Sequence, residues 1–146
     1  MDVQQLVTMM AEFYSASPYV LNPRRATDAF TALLADERLG HVWFIQSNSK
    51  DVGYVVVTLC HSMTFGGTVA VVDDFFIQPA FRGAGLGKAA MEEIRNYCAS
   101  RGVRAIHVET GHDNARFGGV SARWVRRCGS RVSDPGTGRA NACTLT

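Results

Sequence analysis

One segment, residues 69–88 (VAVVDDFFIQPAFRGAGLGK), restricts the folds open to this chain more than any other. Val69, Val71, Val72, Phe75, Phe76 and Ile77 are β-branched or aromatic and occupy both parities of a strand's alternation. That is the pattern of a strand covered on both faces, and therefore central in its sheet. Pro79 cannot continue a hydrogen-bonded ladder, and Gly83, Gly85 and Gly87 let bare backbone approach a ligand closely. A helical pattern follows at once over residues 86–100, with Ala90, Met91, Ile94 and Cys98 on one side. Strand, glycine loop and helix start bring unpaired N–H groups and the positive end of a helix dipole to one spot, which suits a pyrophosphate. Arg82 and Lys88 add positive charge beside it.

Asp73 and Asp74 interrupt the apolar run. A carboxylate in a buried strand is costly unless it is paired or borders a wet cleft. A bulge or arginine partners would account for the pair structurally; an acceptor cleft would account for it functionally.

The rest of the chain sets bounds on this unit. At 146 residues, 47% of them apolar and 19% charged, it is expected to form a single domain over residues 1–146. No apolar run approaches the length of a membrane span, and the first residues lack a signal-peptide profile, so the cytoplasm is the expected location. Cys60, Cys98, Cys128 and Cys143 are scattered without ligand spacing and read as reduced thiols, with no metal implied. Residues 1–81 carry four basic against eight acidic side chains, and residues 82–146 carry 11 against five. A basic half suits either nucleic acid or the phosphates of a nucleotide-bearing cofactor, and no nucleic-acid module accompanies it.

Helical spacing over residues 3–15 places Leu6, Met9, Met10, Phe13 and Tyr14 on one face, ended at Ser17 and Pro18. Asn22 followed by Pro23 reads as an N-cap with proline at the first helical position, starting a second helix to about residue 37. Residues 41–46 and 52–61 read as strands joined by a polar turn, and Phe65, Gly66 and Gly67 turn the chain into the central strand. Three antiparallel strands thus precede the glycine loop. Gly102 is a C-cap candidate, and residues 103–109 form the next strand, parallel to the central one. His41 and His61 lie near strand ends and read as structural.

Neither common phosphate loop fits residues 82–88. A Walker A loop needs a hydroxyl after Gly-Lys, but Ala89 follows Lys88; a dinucleotide fingerprint counted from Gly83 needs glycine where Lys88 stands. The segment Arg82-Gly83-Ala84-Gly85-Leu86-Gly87 instead resembles the Arg-x-x-Gly-x-Gly acyl-coenzyme A loop of the GNAT acetyltransferases. Within that superfamily, Asp73-Asp74-Phe75-Phe76-Ile77 and Phe81-Arg82-Gly83 are similar to the spermidine/spermine and thialysine acetyltransferases.

The resemblance implies an α+β fold of the GNAT type, a mixed and mostly antiparallel sheet with a splayed parallel pair flanked by helices. It implies acetyl-CoA as cosubstrate and direct transfer to a small primary amine or polyamine. Backbone of Phe75, Phe76 and Ile77 would hold the acyl donor. Arg82, Gly83, Ala84, Gly85, Leu86, Gly87 and Lys88 would hold the pyrophosphate. Asn114, after the parallel strand, is a cofactor-contact candidate, though plain turn chemistry accounts for it equally. Asp73 and Asp74 are the candidate catalytic carboxylates, with Asp74 favoured for the amine and Asp73 for a bridging water. A homodimer is expected by the same analogy. Protein-lysine, N-terminal and aminoglycoside acetyltransferases share the loop, as would an acetyl-CoA-binding protein without turnover. Relatives carry a tyrosine four residues before the glycine ending the last helix. Here that helix is expected to run through residues 123–128 to Gly129, which puts Val125 at the tyrosine's place. Residues 130–133 and 140–145 are expected as closing strands.

Overall fold

The computed structural model describes residues 1–108 and the backbone of residues 124–127. Its elements are α1 (Val3–Tyr14), α2 (Pro23–Ala35), β1 (Gly40–Ser47), β2 (Lys50–Ser62), β3 (Gly67–Ile77), a 3-10 turn at Pro79–Phe81, α3 (Leu86–Ser100), β4 (Ala105–Val108) and β5 (Trp124–Arg127). Local chemistry explains the boundaries. The Asp2 carboxylate accepts from the Gln4 and Gln5 amides to cap α1, and the Asn22 side chain accepts from the Arg25 amide with Pro23 opening α2. Asn48 and Ser49, both at positive φ, make the two-residue turn between β1 and β2. Gly102, at φ +64°, lets the chain leave α3 and enter β4.

The sheet runs β1-β2-β3-β4-β5, so the aspartate-bearing strand is central. β1, β2 and β3 are antiparallel neighbours, while β4 joins β3 in parallel and β5 returns antiparallel to β4. This is the mixed α+β sheet with one parallel pair that the GNAT resemblance implies. The parallel pairing spans Ala70 to Val72 against Ile106 to Val108. Beyond it, β3 continues to Ile77 with no second partner among the described residues.

Each face of the sheet has its own core. On one, α1 and α2 bury Leu6, Val7, Met9, Ala26 and Phe30 against Val42, Tyr54, Val56 and Phe76. On the other, Ile94 and Cys98 of α3 pack on Val55, Val57, Ala70, Val72 and Ile106. Each large apolar side chain so buried contributes about 1.5–3 kcal/mol. Gly53 lets β3 come close to β2: a Cβ there would lie 2.2 Å from the Phe76 carbonyl oxygen.

One expectation is corrected. Residues Trp124–Arg127 do not continue a helix toward Gly129; they form β5, with Val125 opposite His107. An aromatic and a β-branched residue in succession suit a pleated surface, and β4 offers an open edge to pair with. Val125 is therefore not at a helical position, and the comparison with a tyrosine of the relatives' last helix does not apply. The closing strands expected over residues 130–133 and 140–145 lie outside the described residues.

Candidate active site

The site is organised by a break in the β2–β3 register. Val56 stands opposite Asp74 while Val57 stands opposite Val72, so Asp73 is an extra residue, a β-bulge. Before the bulge, Ala70 and Val72 face α3; after it, Phe76 faces α1 and α2. On a regular strand adjacent side chains point to opposite faces. Here the extra residue turns both carboxylates to the α1/α2 side, where Asp73 and Asp74 line the same cavity.

The two acids differ in setting. Asp74 is buried, at 8% exposure. Its Oδ2 accepts from the Tyr54 hydroxyl at 2.8 Å, and its Oδ1 accepts from the Tyr14 hydroxyl at 3.3 Å. Burial holds its carboxyl above the ordinary carboxylate range; the Tyr54 hydrogen bond opposes this, the neighbouring Asp73 charge adds to it, and the Tyr14 bond opposes it. Burial and the Asp74 charge push the Tyr14 phenol up to about 12 and raise Tyr54 further, so both remain donors at neutral pH. Asp73 is exposed.

α1 fixes this geometry. Phe13 stacks on Phe76 with ring centroids 5.5 Å apart, and the Gln78 amide donates to the Glu12 carboxylate at 2.9 Å. The last turn of α1 is thus clamped to the end of β3, which puts Tyr14 over Asp74. Sequence reasoning missed both tyrosines, taking Tyr14 for a helix-face apolar residue and leaving Tyr54 inside a strand. The available signal was register: Tyr54 pairs with Phe76, which makes Asp74 its diagonal neighbour on the same face.

The other candidates follow along β3 and its loop. Phe75 and Ile77 face α3, where a Cβ on Gly87 would lie 3.9 Å from the Phe75 ring and 3.7 Å from Ile77 Cδ1. Phe76 faces the opposite core, so what it offers along β3 is backbone. The Arg82 Nε donates to the Ile77 carbonyl at 2.7 Å and closes the loop onto the strand end. Gly83 and Gly85 both adopt left-handed backbone, at φ +84° and +82°, and nothing lies within 4 Å of where their Cβ atoms would be. Gly85 is the N-cap of α3 without a side-chain cap, so the first amides of the helix, on Leu86, Gly87 and Lys88, have no intrahelical acceptor. Ala84 and Lys88 are exposed beside them. An uncapped helix start, preceded by two left-handed glycines with open space around them, fits a diphosphate. Asn114 lies outside the described residues. Among the described residues no group of His, Cys, Asp or Glu is clustered to hold a metal ion, and no helix is long and apolar enough to cross a membrane.

The sequence profile of the acetyltransferase (GNAT) family matches residues 7–117. The chain belongs to this family. It is an acyltransferase, and the family uses acetyl-CoA as its acyl donor. Among solved structures, it is similar to an integron cassette protein from the mobile metagenome of Cole Harbour Salt Marsh, at 39% identity and TM-score 0.72, over 99% of this chain and 88% of that one. Two more distant structures share the GNAT fold. A predicted acetyltransferase from Clostridium acetobutylicum, solved with acetyl-CoA, has TM-score 0.64 at 17% identity over 75% of each chain. A ribosomal-protein-alanine N-acetyltransferase from Brucella melitensis biovar Abortus 2308 has TM-score 0.64 at 17% identity, over 79% of this chain and 77% of that one. No curated protein sequence matches the chain significantly.

Proposed function

We propose that this GNAT acetyltransferase transfers an acetyl group from acetyl-CoA directly to the nitrogen of a small primary amine. What carries the reading is one stretch of β3. A bulged carboxylate pair on the α1/α2 face is followed, within the same strand, by an edge that has no second partner among the described residues and leads into the glycine loop. Acyl donor and acceptor would meet on that stretch.

Acetyl-CoA supplies the activated acyl carbonyl. The amides of Leu86, Gly87 and Lys88, with Gly83, Ala84 and Gly85 keeping side chains clear, would hold its diphosphate, and Arg82 braces the loop against Ile77. The edge of Phe75, Phe76 and Ile77, unpaired on that side among the described residues, would offer amides to the donor arm and to charge developing on the carbonyl oxygen. Asn114 remains a candidate contact to the same arm. An amine is an ammonium in solution, with an ordinary pKa of about 10, and must lose a proton before it attacks. In this reading exposed Asp73 attracts the ammonium, while Asp74, oriented by two phenols and raised by burial, accepts the proton through water. This exchanges the roles expected for the two acids, since both Asp74 oxygens already accept hydrogen bonds. The nitrogen–carbon bond then forms, the carbon–sulfur bond breaks, and the thiolate leaves with the bonding pair.

The likeness to polyamine acetyltransferases around residues 71–88 makes a polyamine one acceptor class to test. The same reading takes residues 1–146 as one catalytic domain, cytoplasmic, and homodimeric by family analogy. Calorimetric titration with acetyl-CoA, followed by thiol release against a panel of amines and an alanine-starting peptide, tests it. Saturable binding with amine-dependent release is expected. Binding without release on any acceptor would favour a non-catalytic module.

A further inference from the structure

Between α2 and the sheet lies a cavity of about 380 Å³, within the size range of small-molecule sites. Met10, Ala29, Phe30, Leu33 and Leu39 make much of its wall. Among its described lining residues, only Thr58, Asp73 and Asp74 are polar. Among the described lining residues the bulge thus concentrates the formal charge on two consecutive residues, and apart from Thr58 the remainder is apolar.

We infer that this cleft accepts a primary amine bearing one positive charge on an apolar body, and that it discriminates against polyamines. The inference rests on the acetyltransferase reading and narrows its acceptor. One ammonium is accounted for by Asp73, the exposed member of the pair, because Asp74 is buried with both oxygens accepting from tyrosines. A polyamine carries its next cation several methylenes away. Seated deeper in the cleft, that cation would lie against Met10, Phe30 or Leu33, where the described lining offers it no further carboxylate, and a cation removed from water without a partner is unfavourable.

Among the described residues, the other acids on and just after α2 lie outside this lining. The Asp36 carboxylate pairs with Arg38 at 2.7 Å, Glu37 pairs with Arg101 at 2.8 Å, and Asp28 is exposed and does not line the cavity. An alkyl or aryl body, by contrast, removes apolar wall from water along its whole length.

The test uses the intact chain with acetyl-CoA and follows thiol release for n-alkylamines from propylamine to hexylamine, for 2-phenylethylamine, for 1,6-diaminohexane and for spermidine. We expect kcat/KM to rise roughly threefold to fourfold per added methylene. Hexylamine, which differs from 1,6-diaminohexane by one terminal ammonium, should exceed it by about tenfold or more. Substituting Ala29→Phe, at an exposed position of α2, fills the cavity and should lower kcat/KM for hexylamine more than for propylamine, with acetyl-CoA affinity unchanged by calorimetry. Amine turnover that is flat with chain length, or a diamine or spermidine as good as hexylamine, overturns the inference while leaving the acetyltransferase reading intact. Acetyl-CoA binding with no turnover of any amine overturns both.

Discussion

The Tyr54 hydroxyl reaches across from β2 to donate to Asp74 Oδ2 on β3, at 2.8 Å and out of contact with solvent. A carboxylate so placed is held in one orientation and cannot swing toward bulk water, whereas its neighbour Asp73 stays exposed. Much of what can be tested in this protein follows from that asymmetry.

Tyr54→Phe removes the donor and keeps the ring, leaving a buried carboxylate oxygen with an unmet demand. Unfolding in urea should show a loss of about 1–3 kcal/mol. The Asp74 carboxyl should move further up, because the bond that opposes burial is gone. A midpoint equal to that of the parent protein would mean the bond carries no net stabilisation.

Asp74→Asn should uncouple stability from pH. Burial raises the folded-state value of Asp74 above its ordinary 3.8, so between those two values the folded chain binds more protons than the unfolded one. The associated stability is complete below the ordinary value and is lost as pH rises through the raised one. The asparagine variant carries no charge to bury. It should match the parent near the acid end and exceed it toward neutrality, in urea midpoints measured from about pH 4 to about pH 8. Amide in place of carboxylate should also abolish proton acceptance, so turnover falls even as the fold gains.

Asp73→Ala should raise the KM for amines by roughly tenfold, the order of one charge-assisted contact at an exposed site, with little change in folding stability. Acetyl-CoA affinity, measured by calorimetry, should be unaltered. Equal KM values in parent and variant would remove Asp73 from the acceptor site.

Gly85→Ala places a Cβ on a residue at φ +82°, which costs about 1–2 kcal/mol. Relief of that strain by a shift out of the left-handed region would re-aim the first amides of α3. A weakened acetyl-CoA affinity, by about tenfold on that energy, is the expected calorimetric result.

Gly53→Ala probes the sheet itself. Its Cβ would sit 2.2 Å from the Phe76 carbonyl oxygen, a clash with backbone that no rotamer relieves. A loss of about 3 kcal/mol or more, with both cofactor and amine binding weakened together, is expected in denaturation and binding measurements.

The central unit was legible from sequence because its signals are local. An apolar run on both parities, Pro79, the glycines and an amphipathic helix each declare themselves within a few residues, and α3 begins and ends where its spacing says. The same holds for Asn22 and Gly102 at helix ends. The bulge at Asp73 was open as an alternative but not decidable, since one extra residue in a ladder is a property of the pairing and not of either strand alone. Tyr14 and Tyr54 escaped for a related reason: their partner lies 60 and 20 residues away in the chain. The helix expected before Gly129 failed because residues 124–127 took the open edge of β4, where tertiary pairing outweighs local spacing.

The bulge also acts as a phase shifter. Upstream of Asp73 the even-numbered side chains of β3 look toward α3, and downstream the even-numbered ones look toward α1. Drawing Asp73 into regular pairing, with no residue lost, would turn every later side chain of β3 to the opposite face. Asp74 and Phe76 would then point toward α3, and the strand leading into the glycine loop would present its other side. In the proposed reaction, the meeting of donor and acceptor thus depends on one residue staying out of step.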